Sequence, residues 1–294
     1  MNAYLSQKLN REEEKVLSPL QEKIRAFLQN KLAVTGSFIV FLFLLLAIFA
    51  PVIAPSGINE QDLVKRLLPP GAGNFLGTDD FGRDIFSRVV YGARISLFVG
   101  FFSVLGSVAA GSLLGIVAGY YGKLLDAVIS RVFDIMLAFP SILLAIAIVS
   151  ILGPSLENAL LAIAIINVPT FGRLIRSKVL SVKEEEYITA ARAIGMKDSR
   201  ILFRHVLPNS FSPIIVQATL AIATAIIEAA ALGFLGLGAQ APNPEWGKML
   251  ADSKQYLIDA PWTMFFPGLA IMLTVLGFNL MGDGLRDALD PKMK

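Results

Sequence analysis

The chain has 294 residues, of which 55% are hydrophobic and only 17% are charged, and its formal net charge is +3. This balance is too apolar for an ordinary soluble domain. The absence of cysteine excludes a disulfide framework and a thiolate metal site. The Lys and Arg residues lie in polar segments beside apolar runs, so membrane orientation explains the positive charge better than nucleic-acid binding does.

Six apolar runs, taken in chain order, predict six membrane-spanning helices. A helix needs about 20 apolar residues to cross about 30 Å of hydrocarbon. Runs that reach or approach this length are predicted as spans at 34–54, 95–119, 132–152, 156–171, 211–234 and 260–281. The fourth run is short and contains Asn167 and Pro169, and Pro140 could kink the third. We predict an all-α, polytopic membrane protein with one membrane domain over residues 33–294.

The polar segments predict the orientation of this domain. Residues 1–32 form a tail too long and too mixed in charge for a signal peptide, and residues 282–294 form a second tail. If both tails lie inside, the inner segments hold nineteen Lys and Arg and the outer segments hold seven. Cytoplasmic loops carry the excess of these residues. We therefore expect both termini, and the long polar segment 173–210, on the cytoplasmic side.

Glycines at every fourth position mark one face of the second span. Gly111, Gly115 and Gly119 would share a helix face, where small residues let a second helix backbone approach closely. A membrane helix that merely tolerates glycine would explain this spacing equally well.

The segment 173–210 has the pattern of a helix, a glycine turn and a second helix. Ile188, Ala191 and Ile194 follow helical spacing after three glutamates, and Gly195 is a natural helix stop. Asp198 is placed to cap a second helix that would end at Pro208. The small residues favour a helix that a partner protein holds closely, and the alternative is a solvated loop whose charges serve only orientation.

This segment resembles the loop shared by the membrane-spanning subunits of ABC importers. Their signature is Glu-Ala-Ala, three residues, Gly, nine residues, Ile, any residue and Leu, sometimes followed by Pro. Ala190, Ala191, Gly195, Leu207 and Pro208 match it. Thr189 replaces the Glu and His205 replaces the Ile, but "AARAIG" followed by "RHVLPN" is similar to the peptide-importing branch.

The resemblance extends over nearly the whole chain. The stretches "LGTDDFGRDIFSRVVYGARIS", "ALGFLGLGAQAPNPEWGKML" and "FNLMGDGLRDALDPKMK" resemble the dipeptide, oligopeptide and nickel permeases, most closely those of the C type. It implies a type I importer permease fold, and transport of dipeptides or short oligopeptides, with nickel chelates or glutathione as alternative cargoes. It also implies a homologous permease subunit as heterodimer partner, two cytoplasmic ATPase subunits and an extracytoplasmic binding protein.

In that family the first helix of the loop docks on an ATPase subunit and transmits its movement. The resemblance assigns this coupling role to one set of residues here: Glu186, Tyr187, Thr189, Ala190, Ala191, Ile194, Gly195, His205, Leu207 and Pro208. ATP and Mg²⁺ would then be bound by the partner ATPases, with no cofactor on this chain.

Motifs for an independent energy source or for catalysis are not found in the sequence. Neither Gly122-Lys123 nor Gly247-Lys248 has the first glycine or the Ser/Thr of a phosphate-binding loop. His205 is the sole histidine, and a lone imidazole makes neither a metal site nor a catalytic triad. We predict no catalytic residues. A secondary transporter or channel without ATPases is the alternative class, and it would leave the 173–210 pattern unexplained.

Two further sets of acidic residues require an interpretation. Glu228 lies well inside the fifth span, where a charge costs about 2.5–3.5 kcal/mol on insertion scales. It either lines the translocation pathway and meets the amino terminus of the substrate, or bonds a neighbouring helix. Asp79, Asp80 and Asp84 suggest a metal site, but Asp79 or Asp80 is better explained as the cap of a helix starting near Phe81.

Overall fold

Helices make up the regular structure of the computed structural model, which describes residues 18–71 and 73–289. In chain order these helices are α1 Pro19–Gln29, α2 Lys31–Ile48, α3 Ala50–Ile53, α4 Ile85–Tyr121, α5 Lys123–Leu137, α6 Ser141–Leu152, α7 Leu156–Lys183, α8 Glu186–Ala193, α9 Asp198–Ile201, α10 Leu207–Phe234, α11 Trp246–Ser253 and α12 Trp262–Leu289. A π-helical turn at Leu202–Val206 joins α9 to α10.

Among the described residues, five helices are long and apolar enough to cross a membrane: α2, α4, α7, α10 with its π-helical turn, and α12. The pair α5 and α6 gives a sixth span if it crosses as one unit, but it is bent by 96°. The predicted third span, 132–152, is therefore not a single helix. Pro140 lies at the break, directly before α6. Proline lacks the N–H that a continuous helix needs and disfavours helical geometry in the residue before it, which explains why the helix is interrupted at this point.

Several helices extend beyond their predicted ends. Their terminal turns contain charged residues, so the apolar runs used for the prediction stopped short of the true helix ends. Helix α4 begins at Ile85 and not at 95, and α7 continues to Lys183, twelve residues past the predicted end at 171. Helix α12 likewise continues to Leu289 within the predicted tail. Hydropathy detects only the part of a helix that lies in hydrocarbon, so a helix that leaves the membrane and stays helical is underestimated.

Two predictions about helix ends are wrong. Asp84, and not Asp79 or Asp80, caps α4, where its carboxylate accepts a hydrogen bond of 2.7 Å from the Ser87 N–H. Pro208 does not end a helix but lies in the first turn of α10. The backbone is helical on both sides of this junction, and the wider π-helical turn, whose hydrogen bonds skip one more residue, lies directly before the proline that lacks an N–H.

The glycine face of α4 packs directly on the backbone of α7. A Cβ atom added to Gly115 would lie 2.4 Å from the Gly172 carbonyl oxygen, and one on Gly111 would lie 2.7 Å from the Val168 oxygen. Atoms of this kind do not approach below about 3.0 Å, so only glycine permits this separation. The predicted close approach is confirmed, and it makes α4 and α7 one tightly packed pair.

Two apolar clusters place α4 and α10 at the centre of the domain. One cluster joins Val99 of α4 and Ala225 of α10 to α6 and α7. The other joins Leu97 of α4 and Ile226 of α10 to α2, α11 and α12. Movement of either central helix therefore displaces both clusters, because packed interiors do not deform freely.

Candidate coupling site

One face of α8 packs on the ends of the long helices. Ile188 is fully buried and Ala191 is 6% exposed, and both belong to an apolar cluster with Val179 of α7 and Ile214 of α10. Ile201 of α9 is also fully buried in this cluster. The burial explains the apolar spacing seen in the sequence and fixes α8 to the membrane domain.

Gly195 ends α8 as the sequence predicts. Its φ angle of +80° lies in the left-handed region, which favours glycine. Its N–H donates to the Arg192 carbonyl at 2.9 Å, and the next N–H, of Met196, donates to the Ala191 carbonyl at 3.0 Å. These two bonds form the Schellman motif, which satisfies the last carbonyls of the helix and turns the chain sharply towards α9.

The opposite face of α8 is exposed and, apart from Glu186 in the first turn, carries small or apolar side chains. This face, called the docking face after the role that the family resemblance assigns to α8, consists of Glu186, Ala190, Ala193 and Ile194, which share one side of the helix by their spacing. The Ile194 side chain is 80% exposed. Exposed apolar side chains beside alanines offer a smooth surface that a partner protein can cover.

The predicted coupling residues divide into an exposed group and a group that is buried or half-buried. Seven of them are exposed, and three are buried or half-buried. The exposed ones are Glu186, Tyr187, Thr189, Ala190, Ile194, Gly195 and Pro208; the others are Ala191, His205 and Leu207. The two groups would act differently, since only the exposed residues are available to a partner.

His205 and Tyr187 link the two halves of the loop. Their rings lie 5.8 Å apart. The Asn209 amide donates to the Tyr187 hydroxyl at 3.3 Å and to the His205 carbonyl at 2.7 Å. His205 therefore has a packing role between α8 and the start of α10.

A contact that the sequence analysis missed connects the loop to α4. The Tyr120 hydroxyl, at the end of α4, donates a hydrogen bond to the Asp198 carboxylate of α9. The Lys183 ammonium donates to the Tyr120 carbonyl at 2.9 Å, and the Lys183 and Arg192 cations lie 5.8 Å and 6.0 Å from the tyrosine ring centre. Tyr120 thus contacts α7, α8 and α9 at once. The only sequence signal was an aromatic pair before Gly122, at the end of a span.

We expect Tyr120→Phe to lower transport per ATP hydrolysed, because it removes the hydroxyl bond to Asp198 while keeping the ring in place. One such bond contributes about 1 kcal/mol, equivalent to about a fivefold change in an equilibrium. The measurement is uptake and ATP hydrolysis in the same reconstituted vesicles. Tyr121→Phe is the matched control, since Tyr121 is 63% exposed. Equal coupling ratios in the two variants would show that the hydroxyl has no part in transmission.

Glu228 lies within the helix bundle rather than at its surface. Its side chain is buried, and its carboxylate accepts a hydrogen bond of 3.0 Å from the Asn167 amide of α7. Asn167 also donates to the Ile163 carbonyl of its own helix at 3.0 Å. The predicted carboxylate and the polar residue of the fourth span are therefore joined, which links α10 to α7 inside the membrane.

The aspartates before α4 form ion pairs. Asp79 accepts from the Arg83 guanidinium at 2.6 Å and lies 3.5 Å from that of Arg88. Asp84 caps α4 and accepts from the Asn74 amide at 3.1 Å. Within residues 18–71 and 73–289 there is no group of three or more His, Cys, Asp or Glu residues that could hold a metal ion.

Similarity to known proteins agrees with this geometry. The model of the binding-protein-dependent transport system inner membrane component matches residues 111–294, and that of the N-terminal membrane domain of oligopeptide transport permease C matches residues 18–70. The dipeptide transport system permease protein DppC of Alkalihalophilus pseudofirmus is 66% identical, covering 95% of this chain and 91% of that protein. The glutathione permease GsiD of Pectobacterium atrosepticum is 48% identical, covering 95% of this chain and 93% of that protein.

A solved structure shares the fold. The inward-facing methionine ABC transporter MetNI matches with a TM-score of 0.56 and 21% identity, over 70% of this chain and 98% of that one. Together with the bundle of apolar helices, these similarities define a multi-pass, inner-membrane permease of an ABC importer. The chain belongs to the C-type permeases of the dipeptide family within the binding-protein-dependent transport systems.

Proposed function

We propose that this chain is one of two membrane-spanning subunits of an ATP-driven importer of dipeptides or short oligopeptides. The observation that carries the cargo assignment is the 66% identity to a dipeptide permease over 95% of the chain. The exposed docking face of α8 supports the coupling to ATPases, because it presents a smooth surface fixed from behind by buried side chains.

The assembly has the following proposed composition. A homologous permease subunit completes a heterodimer, two cytoplasmic ATPase subunits bind the two docking helices, and an extracytoplasmic protein delivers the peptide. ATP and Mg²⁺ are bound by the ATPases, since neither Gly-Lys pair of this chain has the phosphate-binding pattern. Both termini of this chain lie on the ATPase side, in agreement with the distribution of Lys and Arg.

Movement passes from the docking face to the spans through contacts within this chain. When the ATPases close over ATP, they draw the docking helices together. Helix α8 is joined to α7 and α10 by the cluster around Ile188, and to α4 by the Arg192 cation over the Tyr120 ring. The Tyr120 hydroxyl also joins α4 to Asp198 of α9. The long helices therefore move with α8 and change which side of the membrane the cavity faces.

Uptake in a strain that lacks this chain tests the function. Labelled dialanine, tetra-alanine, glutathione and a nickel chelate would be supplied separately, with the chain restored or absent. We expect restoration of ATP-dependent dialanine uptake. Uptake of none of the peptides, or peptide uptake by the chain alone in ATP-free vesicles, would contradict the proposal.

Glutathione is the second candidate cargo, because a glutathione permease is 48% identical over 95% of this chain. Glutathione is itself a tripeptide, so similar peptide recognition would serve both. Restoration of glutathione uptake without dialanine uptake would select this alternative.

Glu228 is proposed to take part in the translocation pathway, with its bond to Asn167 holding the carboxylate in position. Glu228→Gln keeps the shape but removes the charge, and we expect peptide uptake to fall about tenfold if the carboxylate meets the substrate ammonium group, because charge-assisted bonds contribute about 1.5–3 kcal/mol. Uptake of dialanine and of its N-acetyl form would be compared in wild type and variant. Loss of uptake that is the same for both forms would leave only a structural role for the charge.

A further inference from the structure

An open cleft lies at the end of the molecule opposite the docking face. It has a volume of about 690 Å³ and lies between the segment before α4 and helix α11. Its charged lining residues have both signs: Asp80, Arg83, Lys248, Asp252 and Lys254. Helix α4 starts beside the cleft and ends at the coupling loop, and its 37 residues span about 55 Å at 1.5 Å per residue.

The floor of the cleft is a buried cluster of ion pairs. Arg83 and Arg88 are 6% and 3% exposed, and both guanidinium groups pair with Asp79. A smaller cavity, lined by Asp79, Arg88 and Asp252 among others, continues beneath the cleft. These contacts hold the backbone of the lining segment, so the charges above them are fixed before any ligand arrives.

Two charges at the cleft lack a close partner of opposite sign. Lys248 pairs with Asp252 at 2.5 Å, and Arg83 pairs with Asp79 at 2.6 Å. Asp80, in contrast, lies 3.8 Å from Arg83, whose closer pair is with Asp79. Lys254 makes no ion pair in the part of the chain that the structure describes, and its ammonium lies 5.5 Å from the Phe234 ring centre.

The surroundings of Asp80 favour an added cation. Burial raises the pKa of the Asp80 carboxyl, and the negative charge of Asp79 raises it further. A positive group bound beside Asp80 would offset both effects. Lys254 offers the complementary interaction, since an exposed ammonium group binds carboxylates.

A free peptide carries both complementary groups, an ammonium at one end and a carboxylate at the other. The volume of the cleft lies in the range of about 300–1,000 Å³ that is typical of small-molecule sites. We propose that this cleft is a peptide-binding site, with Asp80 receiving the amino terminus and Lys254 the carboxyl terminus of the peptide before it enters the pathway. The inference rests on the proposed function and adds a receiving site on the permease itself.

Equilibrium binding of labelled dialanine tests the site. The assembled permease and ATPase complex would be held in lipid nanodiscs without the binding protein. We expect saturable binding to the wild type and a loss of at least fivefold in affinity in both Asp80→Asn and Lys254→Gln. Blocked peptides separate the two ends: N-acetyl-dialanine should be insensitive to Asp80→Asn, and dialaninamide should be insensitive to Lys254→Gln.

Matched controls lie outside the cleft. Lys65 and Asp259 are exposed, and Lys65→Gln and Asp259→Asn should bind dialanine as the wild type does. The proposal is overturned if Asp80→Asn and Lys254→Gln bind dialanine normally. Peptide uptake by the wild-type importer is measured in parallel. Its absence would refute the proposed function, whereas normal uptake without terminus-dependent binding would refute the cleft alone.

Discussion

Replacing Ala190 with Arg is expected to lower ATP-driven uptake at least tenfold while the chain stays inserted in the membrane. Ala190 is exposed on the docking face, so a longer charged side chain does not disturb the packing of α8. It would instead separate the ATPase from a surface on which only small side chains permit close contact. Poorly accommodated bulk at a tight contact costs about 1–3 kcal/mol, and an unpaired charge at an interface adds to this cost.

The measurement is co-purification of the ATPase subunits together with uptake. Ala26→Arg makes the same chemical change at an exposed position of α1, far from α8 in sequence, and should behave as wild type. Ala191→Arg is unsuitable, because Ala191 is 6% exposed and its replacement would disrupt the loop itself. Normal ATPase binding and uptake in Ala190→Arg would remove the coupling role from this face.

Gly115→Ala is expected to destabilise the whole domain, although it adds one methyl group. That methyl carbon would lie 2.4 Å from the Gly172 oxygen and 3.1 Å from the Arg176 nitrogen, both of them backbone atoms of α7. Neither can rotate away, so the two helices must separate. Overpacking of this kind costs about 1–3 kcal/mol, and the apparent melting temperature in detergent should fall by several degrees.

Gly268→Ala provides the control within another long helix. A Cβ atom there meets only the Leu250 side chain, at 3.9 Å. Alanine is favoured over glycine in a helix by about 1 kcal/mol, so this variant should be as stable as the wild type or slightly more stable. Equal melting temperatures for the two variants would contradict the close packing of α4 on α7.

The sequence predicted those features that depend on local chemistry. Apolar runs indicated the spans, Gly195 indicated the end of α8, and the glycines of α4 indicated a close helix contact. Each of these follows from a steric or solvation preference of the residues themselves. The family resemblance added the coupling role, because spacing alone left a solvated loop as an equal alternative.

Features that depend on tertiary contacts could not be predicted. To predict the break between α5 and α6 one would need to know how the neighbouring helices pack, because the chain turns by 96° there instead of continuing as one kinked helix. The bond between Tyr120 and Asp198 joins residues 78 positions apart. Asp80 and Lys254 likewise line the same cleft only because of the fold, so composition had suggested a metal site or a helix cap for the Asp79–Asp84 segment.

The length of α4 has a mechanical consequence. One uninterrupted helix reaches from the segment beside the cleft to Tyr120, and a helix of about 55 Å behaves as a stiff rod. A tilt of about 5° about one end displaces the other end by about 5 Å, which is about one helical turn. Small rotations produced where ATP is hydrolysed would thus become atomic displacements large enough to open or close a passage at the far surface, with α4 as the lever arm.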